Sequence, residues 1–328
     1  MLVRRNFLAY SGILPILGNW PLSGFCAKNQ KEIASVTNIP PKEFMGGEFL
    51  GSVANGEKVG VQIAPTTPER FAIHVYSGGL PGLGYNGLWQ QTLKGKQKGS
   101  EPNFFAEADG WTIDGNLETI KGSNKKGLEI HAERIPNRSL KSLGIKPPTN
   151  GKILFDGDLG GWKRAQKDSD GYLMVGCETL DSFKDFLLHL EFRLPFLPEQ
   201  KGQDRANSGV YIQNRYEIQI LDSFALEGSK NQCGSIYEFR PPEVNACLPP
   251  EQWQSFDIEF RSARFADRKK VKNAMISVTH NGVLVHDQIE IPSQTGYGRK
   301  EGPDSGPIHL QNHGSKVVFR NIWIVERK

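Results

Sequence analysis

Cysteine is scarce in this chain, four residues in 328, and no Cys-x-x-Cys spacing occurs; the His-x-x-x-His spacing of His309 and His313 falls at the end of an expected strand, not on a helix. A zinc-type site is therefore disfavoured. Charge of one sign is also missing: 40 Lys and Arg stand against 36 Asp and Glu. The basic residues are scattered rather than striped, so no nucleic-acid partner is expected. Nothing carries a long helical period, which removes support for an all-α or alternating α/β fold. The glycine-rich run 78–87 lacks the strand-to-helix setting of a phosphate loop, and no dinucleotide motif occurs elsewhere. No nucleotide cofactor is expected.

What is present begins at the N-terminus. Arg4-Arg5-Asn6-Phe7-Leu8 is a twin-arginine followed by an apolar segment broken by Ser11, Gly12, Pro15 and Gly18. Such a segment falls short of the ~20 residues a membrane span needs. It reads as a Tat-type export signal over 1–27, giving a periplasmic or extracellular bacterial protein. Phe25 before Cys26 spoils a lipobox, so lipidation ranks lower. Export into an oxidising compartment favours pairing two of the three remaining cysteines. Cys233 and Cys247 bracket a short Pro-containing loop and are the expected disulfide, leaving Cys177 free and buried.

The 36 glycines and 20 prolines punctuate short β-like runs throughout. Over 40–135 these runs fall at 60–64, 71–76, 111–113, 117–120 and 128–133, the pattern of a small β-rich domain. Run 78–87 reads as an ordered surface loop, and 94–101 as polar and exposed. Residues 136–151 dilute the apolar content with Ser139, Lys141, Gly144, Pro147, Pro148 and Asn150, as a linker would. From 152 to 328 ten candidate strands follow, at 153–155, 172–175, 186–194, 209–213, 216–221, 255–261, 274–279, 283–287, 308–311 and 317–325. Asn281-Gly282 between two of them is a type I′ hairpin signal. Short strands without helical period predict a sandwich of two sheets.

The densest stretch is Asn207-Ser-Gly-Val-Tyr-Ile-Gln-Asn-Arg-Tyr-Glu-Ile-Gln-Ile-Leu-Asp-Ser223. With a period of two, Val210, Ile212, Ile218 and Ile220 share one face while Tyr211, Gln213, Glu217 and Gln219 share the other. Planar amides and carboxylates match sugar hydroxyls, and an aromatic ring covers apolar C–H patches. The polar face therefore reads either as a carbohydrate site or as plain polar exterior.

Leu154-Phe155-Asp156-Gly157 with Gly161-Trp162, Leu190-Glu191-Phe192-Arg193, Asn207-Ser208-Gly209-Val210-Tyr211, Arg215-Tyr216-Glu217-Ile218-Gln219-Ile220-Leu221-Asp222-Ser223, Trp253-Gln254-Ser255-Phe256-Asp257-Ile258 and Gly306-Pro307-Ile308-His309-Leu310-Gln311-Asn312-His313-Gly314 together resemble the 3-keto-disaccharide hydrolase-like domain family. The resemblance implies an all-β, concanavalin A-like jelly roll over 152–328. It further implies cleavage of glycosides oxidised to a ketone at C3. That ketone acidifies the C2 proton, so a base removes it and the C1 substituent leaves by β-elimination, after which water adds back. A donor or a divalent metal would polarise the ketone. Since no dinucleotide motif is present, oxidation at C3 would fall to a separate sugar 3-dehydrogenase.

Strand parity nominates the groups. Glu217 and His313 are the expected proton-transfer pair, with Glu191 third. Arg193, Tyr211, Gln219, Asp222 and Gln311 are the expected substrate contacts, provided that the polar faces of 189–193 and 309–313 join that of 217–219. His189 and His309 are read as outward-facing or packing residues. Two alternatives stay open. A conventional glycoside hydrolase of this fold would place paired carboxylates ~5 Å apart, whereas here the middle acid is Gln219 and Asp222 has the opposite parity. A non-catalytic carbohydrate-binding module would need only the Tyr, Gln and Arg face.

Overall fold

The computed structural model describes residues 45–327 apart from 68, 99–102 and 137; the expected export signal and Cys26 lie outside the described residues. The first eight strands are β1 (Gly47–Val53), β2 (Lys58–Thr67), β3 (Arg70–Ser77), β4 (Gln90–Gln97), β5 (Phe104–Ala108), β6 (Trp111–Gly115), β7 (Thr119–Asn124) and β8 (Glu129–Ile135). Each pairs antiparallel with the next, and β1 pairs with β8 to close a barrel. Alternate residues point inward, so Phe49, Val61, Ile63, Ile73, Val75, Leu93, Phe104, Ile113 and Ile130 fill the interior. At this strand number side chains fill the bore, leaving a packed core. β1, β4 and β5 were not expected; β4 in particular lies partly in a stretch whose lysines mask its alternation.

Fourteen further strands complete the fold: β9 (Lys152–Phe155), β10 (Trp162–Lys163), β11 (Leu173–Met174), β12 (Cys177–Thr179), β13 (Asp185–Arg193), β14 (Ser208–Ile212), β15 (Tyr216–Ile220), β16 (Trp253–Arg261), β17 (Arg264–Ala266), β18 (Lys269–Lys272), β19 (Ala274–His280), β20 (Val283–Ile291), β21 (His309–Leu310) and β22 (Val318–Arg327). A five-stranded sheet runs β10-β12-β21-β14-β15, and a seven-stranded sheet is built on β11-β22-β13-β16-β19-β20 with β9 beside β22. The fold is thus all-β, a barrel followed by a jelly-roll sandwich. Val210, Ile212, Ile218, Ile220 and Leu310 of the smaller sheet share one core with Leu188, Leu190, Phe192, Phe256 and Ile258 of the larger. Each sheet turns its apolar side inward, and their polar sides therefore face in opposite directions.

Barrel and sandwich are fastened to each other. Tyr76 and Leu80, at the end of β3 and just beyond it, enter the sandwich core. Behind them runs a buried polar chain: Tyr76 Oη donates to Gln62 at 3.0 Å, Gln62 to Glu48 at 3.0 Å, and Arg138 pairs with Glu48 at 2.9 Å. Arg138 also donates to the Pro81 carbonyl. The glycine-rich run is therefore in part an interface: at Gly82, in the left-handed region at φ 76°, a side chain would meet Arg138 and Val283. The stretch expected as a linker is tied down as well. Ser142 Oγ lies 2.8 Å from Ser255 Oγ, and the Ile145 carbonyl accepts from Trp323 Nε1 at 2.9 Å.

Candidate functional site

The outer face of the five-stranded sheet gathers a row of titratable side chains. In register across four strands stand Glu217 on β15, Tyr211 on β14, His309 on β21 and Glu178 on β12. Tyr211 Oη donates to Glu217 Oε2 at 2.7 Å, and the Tyr211 and His309 rings lie 5.6 Å apart. Glu178 accepts from Asn214 at 2.9 Å, with Lys163 and Arg164 at 3.8 and 3.9 Å. One step along the sheet, Gln219 faces Gly209, whose carbonyl accepts the Gln311 N–H at 2.9 Å.

Electrostatics single out Glu217. It is 2% exposed, and burial raises its pKa to about 7, against the smaller lowering effect of the Tyr211 hydroxyl. Burial first, then the Glu217 charge, pushes the Tyr211 phenol up, so the proton between them stays on the phenol. Burial lowers His309, which keeps its imidazole neutral at pH 7. A carboxyl poised near neutrality can both take and give a proton.

Residues 295–298, Thr-Gly-Tyr-Gly, cover this carboxyl. Glu217 N donates to Thr295 Oγ1 at 2.8 Å, and Tyr297 N donates to Tyr211 Oη at 3.2 Å. A Cβ on Gly296 would collide with Glu217 Oε2 and one on Gly298 with the Arg215 carbonyl, so both positions require glycine. The segment leaves the Tyr297 ring 92% exposed directly above the buried pair.

Three of the expected site residues, Tyr211, Gln219 and Gln311, thus lie on one face around Glu217. Others do not. Glu191 and Arg193 are on β13 of the seven-stranded sheet, whose polar side points away from Glu217 across the shared core. There Glu191 is wholly buried, accepting from Gly144 N at 2.5 Å, Arg320 Nε at 2.7 Å and Asn321 Nδ2 at 2.8 Å. Arg193 lies over the Tyr172 and Trp253 rings at 5.2 and 5.1 Å. The error was to assume that equal parity on two strands means a common face. His313 is exposed beyond the end of β21, and no hydrogen bond or ion pair among the described residues joins it to Glu217. Asp222 is buried in an ion pair with Arg205 at 2.7 Å, and Arg205 donates onward to Pro65 of the barrel at 3.2 Å. It serves the barrel–sandwich junction instead of the face. Cys233 and Cys247, the expected disulfide, are neighbours in the core and stand there as thiols, hydrogen-bonded to each other, with Cys247 Sγ also 3.6 and 3.4 Å from the Leu221 and Leu248 carbonyls. Cys177 is free and buried as expected.

Sequence reasoning left His309 out of the site, as an outward-facing or packing residue, and passed over the cover at 295–298. A Gly-Tyr-Gly between two prolines was the available signal for the latter. Among the described residues no three or more His, Cys, Asp or Glu side chains gather as a metal site. An open groove of about 1220 Å³ lies elsewhere, between β3 to β5 of the barrel and loop 226–232, away from the titratable row.

No curated protein matches the chain. A solved structure from Parabacteroides distasonis, described as a candidate glycosyl hydrolase, is 33% identical over 57% of this chain and 88% of its own, with a TM-score of 0.53. Another from the same organism, described in the same way, is 24% identical over 54% of this chain and 99% of its own, with a TM-score of 0.39. The sequence model of one family, described as the 3-keto-alpha-glucoside-1,2-lyase-like domain, matches residues 150–325. That span holds the whole sandwich, including the face that carries Glu217, and the chain belongs to this glycosyl hydrolase-like family.

Proposed function

We propose that this protein cleaves 3-keto-glycosides by elimination across C1 and C2, with Glu217 as the residue that moves the proton. The observation that carries the reading is the Glu217 carboxyl itself, raised to about 7 by burial and bonded to Tyr211. As a carboxylate it takes the C2 proton, the electron pair of the C2–H bond forms the C1–C2 double bond, and the C1–O bond breaks. The leaving oxygen needs a proton, and the Tyr211 hydroxyl, backed by His309, stands next to the base to give it. Addition of water to the resulting alkene completes hydrolysis. Gln219 and Gln311 offer amides to sugar hydroxyls on the same face.

The ketone would be made by a separate sugar 3-dehydrogenase, and Arg4-Arg5 supports export to the periplasm or beyond. Turnover of a 3-keto-α-glucoside in deuterated water tests the chemistry. Deuterium should enter at C2, and Glu217→Gln should abolish both exchange and release of the aglycone. A direct glycosidase would cleave the unoxidised parent and leave C2 protiated; a binding module would do neither.

A further inference from the structure

Three buried side-chain oxygens on the Glu217 face have no hydrogen-bond partner among the described residues: Asn207 Oδ1, Gln219 Oε1 and Gln311 Oε1. Asn207 and Gln219 are each 1% exposed. Their orientation is dictated by a third amide. Gln203 Nε2 donates to the Asn231 carbonyl at 2.9 Å, which makes Gln203 Oε1 an acceptor. It receives Gln219 Nε2 at 3.0 Å and Asn207 Nδ2 at 3.2 Å, and Asn207 Nδ2 also reaches the Gln203 carbonyl at 2.7 Å. With both nitrogens committed to Gln203, both oxygens must face away from it. Unpaired buried acceptors are costly and rare in native structures, and these cluster on three adjacent positions of one face.

Gly209 lies between them. It stands opposite Gln219 on β15, and its carbonyl holds Gln311 on the other side. A Cβ at Gly209 would run into Glu217 Oε1: the carboxyl itself lies over this position, and only glycine leaves it that room. The three free oxygens on the same face are a set of acceptors, and the matching ligand must bring donors.

We infer that Asn207, Gln219 and Gln311 are the specificity-determining residues of the site, accepting hydrogen bonds from sugar hydroxyls held beside the Glu217 carboxyl. The inference rests on the reading of this face as a glycoside site and goes beyond it. A ketone at C3 has no proton to give, so the sugar is recognised by the hydroxyls that flank the ketone. The unoxidised parent sugar then binds as well, and the ketone decides reaction rather than binding. Gln203, which touches no substrate, is a positioning residue that turns two of the three oxygens.

The test titrates the mature protein by NMR with methyl α-glucopyranoside and its 2-, 4- and 6-deoxy forms. Wild type should bind the parent, and loss of at least one hydroxyl should weaken binding about tenfold or more. Gln311→Ala, the least buried of the three changes, should weaken the parent by a similar factor. It should bind the matching deoxy sugar as wild type does, because the bond is already gone. This coupling cannot come from misfolding. The inference is overturned if the parent does not bind, if all deoxy forms bind within twofold of it, or if Gln311→Ala and Gln219→Ala both keep wild-type discrimination. Hydroxyl discrimination without turnover of any 3-keto form would sink the elimination chemistry and leave this inference standing; turnover without discrimination would do the reverse.

Discussion

Two buried carboxylates, one on each outer face of the sandwich, look alike in sequence and differ in every physical respect. Glu191 and Glu217 each sit mid-strand between apolar neighbours. Burial pushes the Glu191 carboxyl up, but His189, Asn321, Arg320 and the Gly144 N–H outweigh it and bring it down to about 2. Glu217 has only the Tyr211 hydroxyl against the same burial and rises to about 7. A carboxylate surrounded by donors is a fastening, and here it pins residues 144–145 to the larger sheet. One left nearly alone can exchange a proton near neutral pH. Burial makes either role available, and the number of donors chooses between them.

Exchanging the two acids sharpens this contrast most. Glu217→Gln should lower kcat by ~10²-fold to 10⁴-fold, the range for a lost general base. Its stability at pH 8 should rise by roughly 3 kcal/mol, because native Glu217 must ionise against a raised pKa. Glu191→Gln should do the opposite, costing about 3 kcal/mol in denaturant unfolding, since it takes the anion from Arg320 and leaves His189 with Asp257 alone. Equal stability of the two variants would remove the distinction.

Gly296→Ala comes next. Its methyl would meet Glu217 Oε2, and at φ 56° the alanine is itself strained, so the cover is forced off the carboxyl. Activity should fall by about tenfold or more while Glu217 becomes accessible to carbodiimide labelling in water; protection equal to wild type would show that the segment does not seal the site.

Acidity supplies a third comparison. The rate should rise with pH through about 7 as Glu217 ionises, and this limb should vanish in Glu217→Gln. Across the sandwich, burial would lower His189, but Asp257 and Glu191 raise it to about 9. A raised histidine stabilises fully below its unfolded value of 6.5, and that contribution is lost as pH rises through about 9. Lowered Glu191 stabilises above 4.5, and its contribution is lost as pH falls through about 2. The larger sheet's network therefore contributes fully between those unfolded values, and His189→Asn should flatten the alkaline side of the melting-temperature profile. Smallest of all, His313→Ala should change kcat by less than about threefold, whereas His309→Ala should exceed that.

Much of the smaller sheet could be read from alternation alone, because Val210, Ile212, Ile218 and Ile220 mark one face of β14 and β15 while Tyr211, Glu217 and Gln219 mark the other. The barrel was less legible: the Lys94 and Lys96 side chains stand on its outside and hide β4 within a polar stretch. Glu191 shows why the site was only partly visible. Parity tells which residues share a side of one sheet, but not which of two sheets a strand joins, and that depends on pairings between residues far apart in sequence. The partners that decide a carboxylate's acidity, Gly144, Arg320 and Asn321 for one and Thr295 to Tyr297 for the other, are equally remote along the chain.

Because Gly296 rests on the Glu217 carboxyl, uncovering that carboxyl and titrating it would be linked. Were residues 295–298 to lift, water would return to Glu217 and weaken the burial that holds its pKa near 7, letting it fall toward its ordinary value of 4.5. Between those two values opening releases a proton and closing takes one up, so each unit of rising pH moves the balance toward the open form by up to about tenfold. At pH 7 the covered group is therefore divided about evenly between acid and carboxylate, and only the carboxylate can take up a proton.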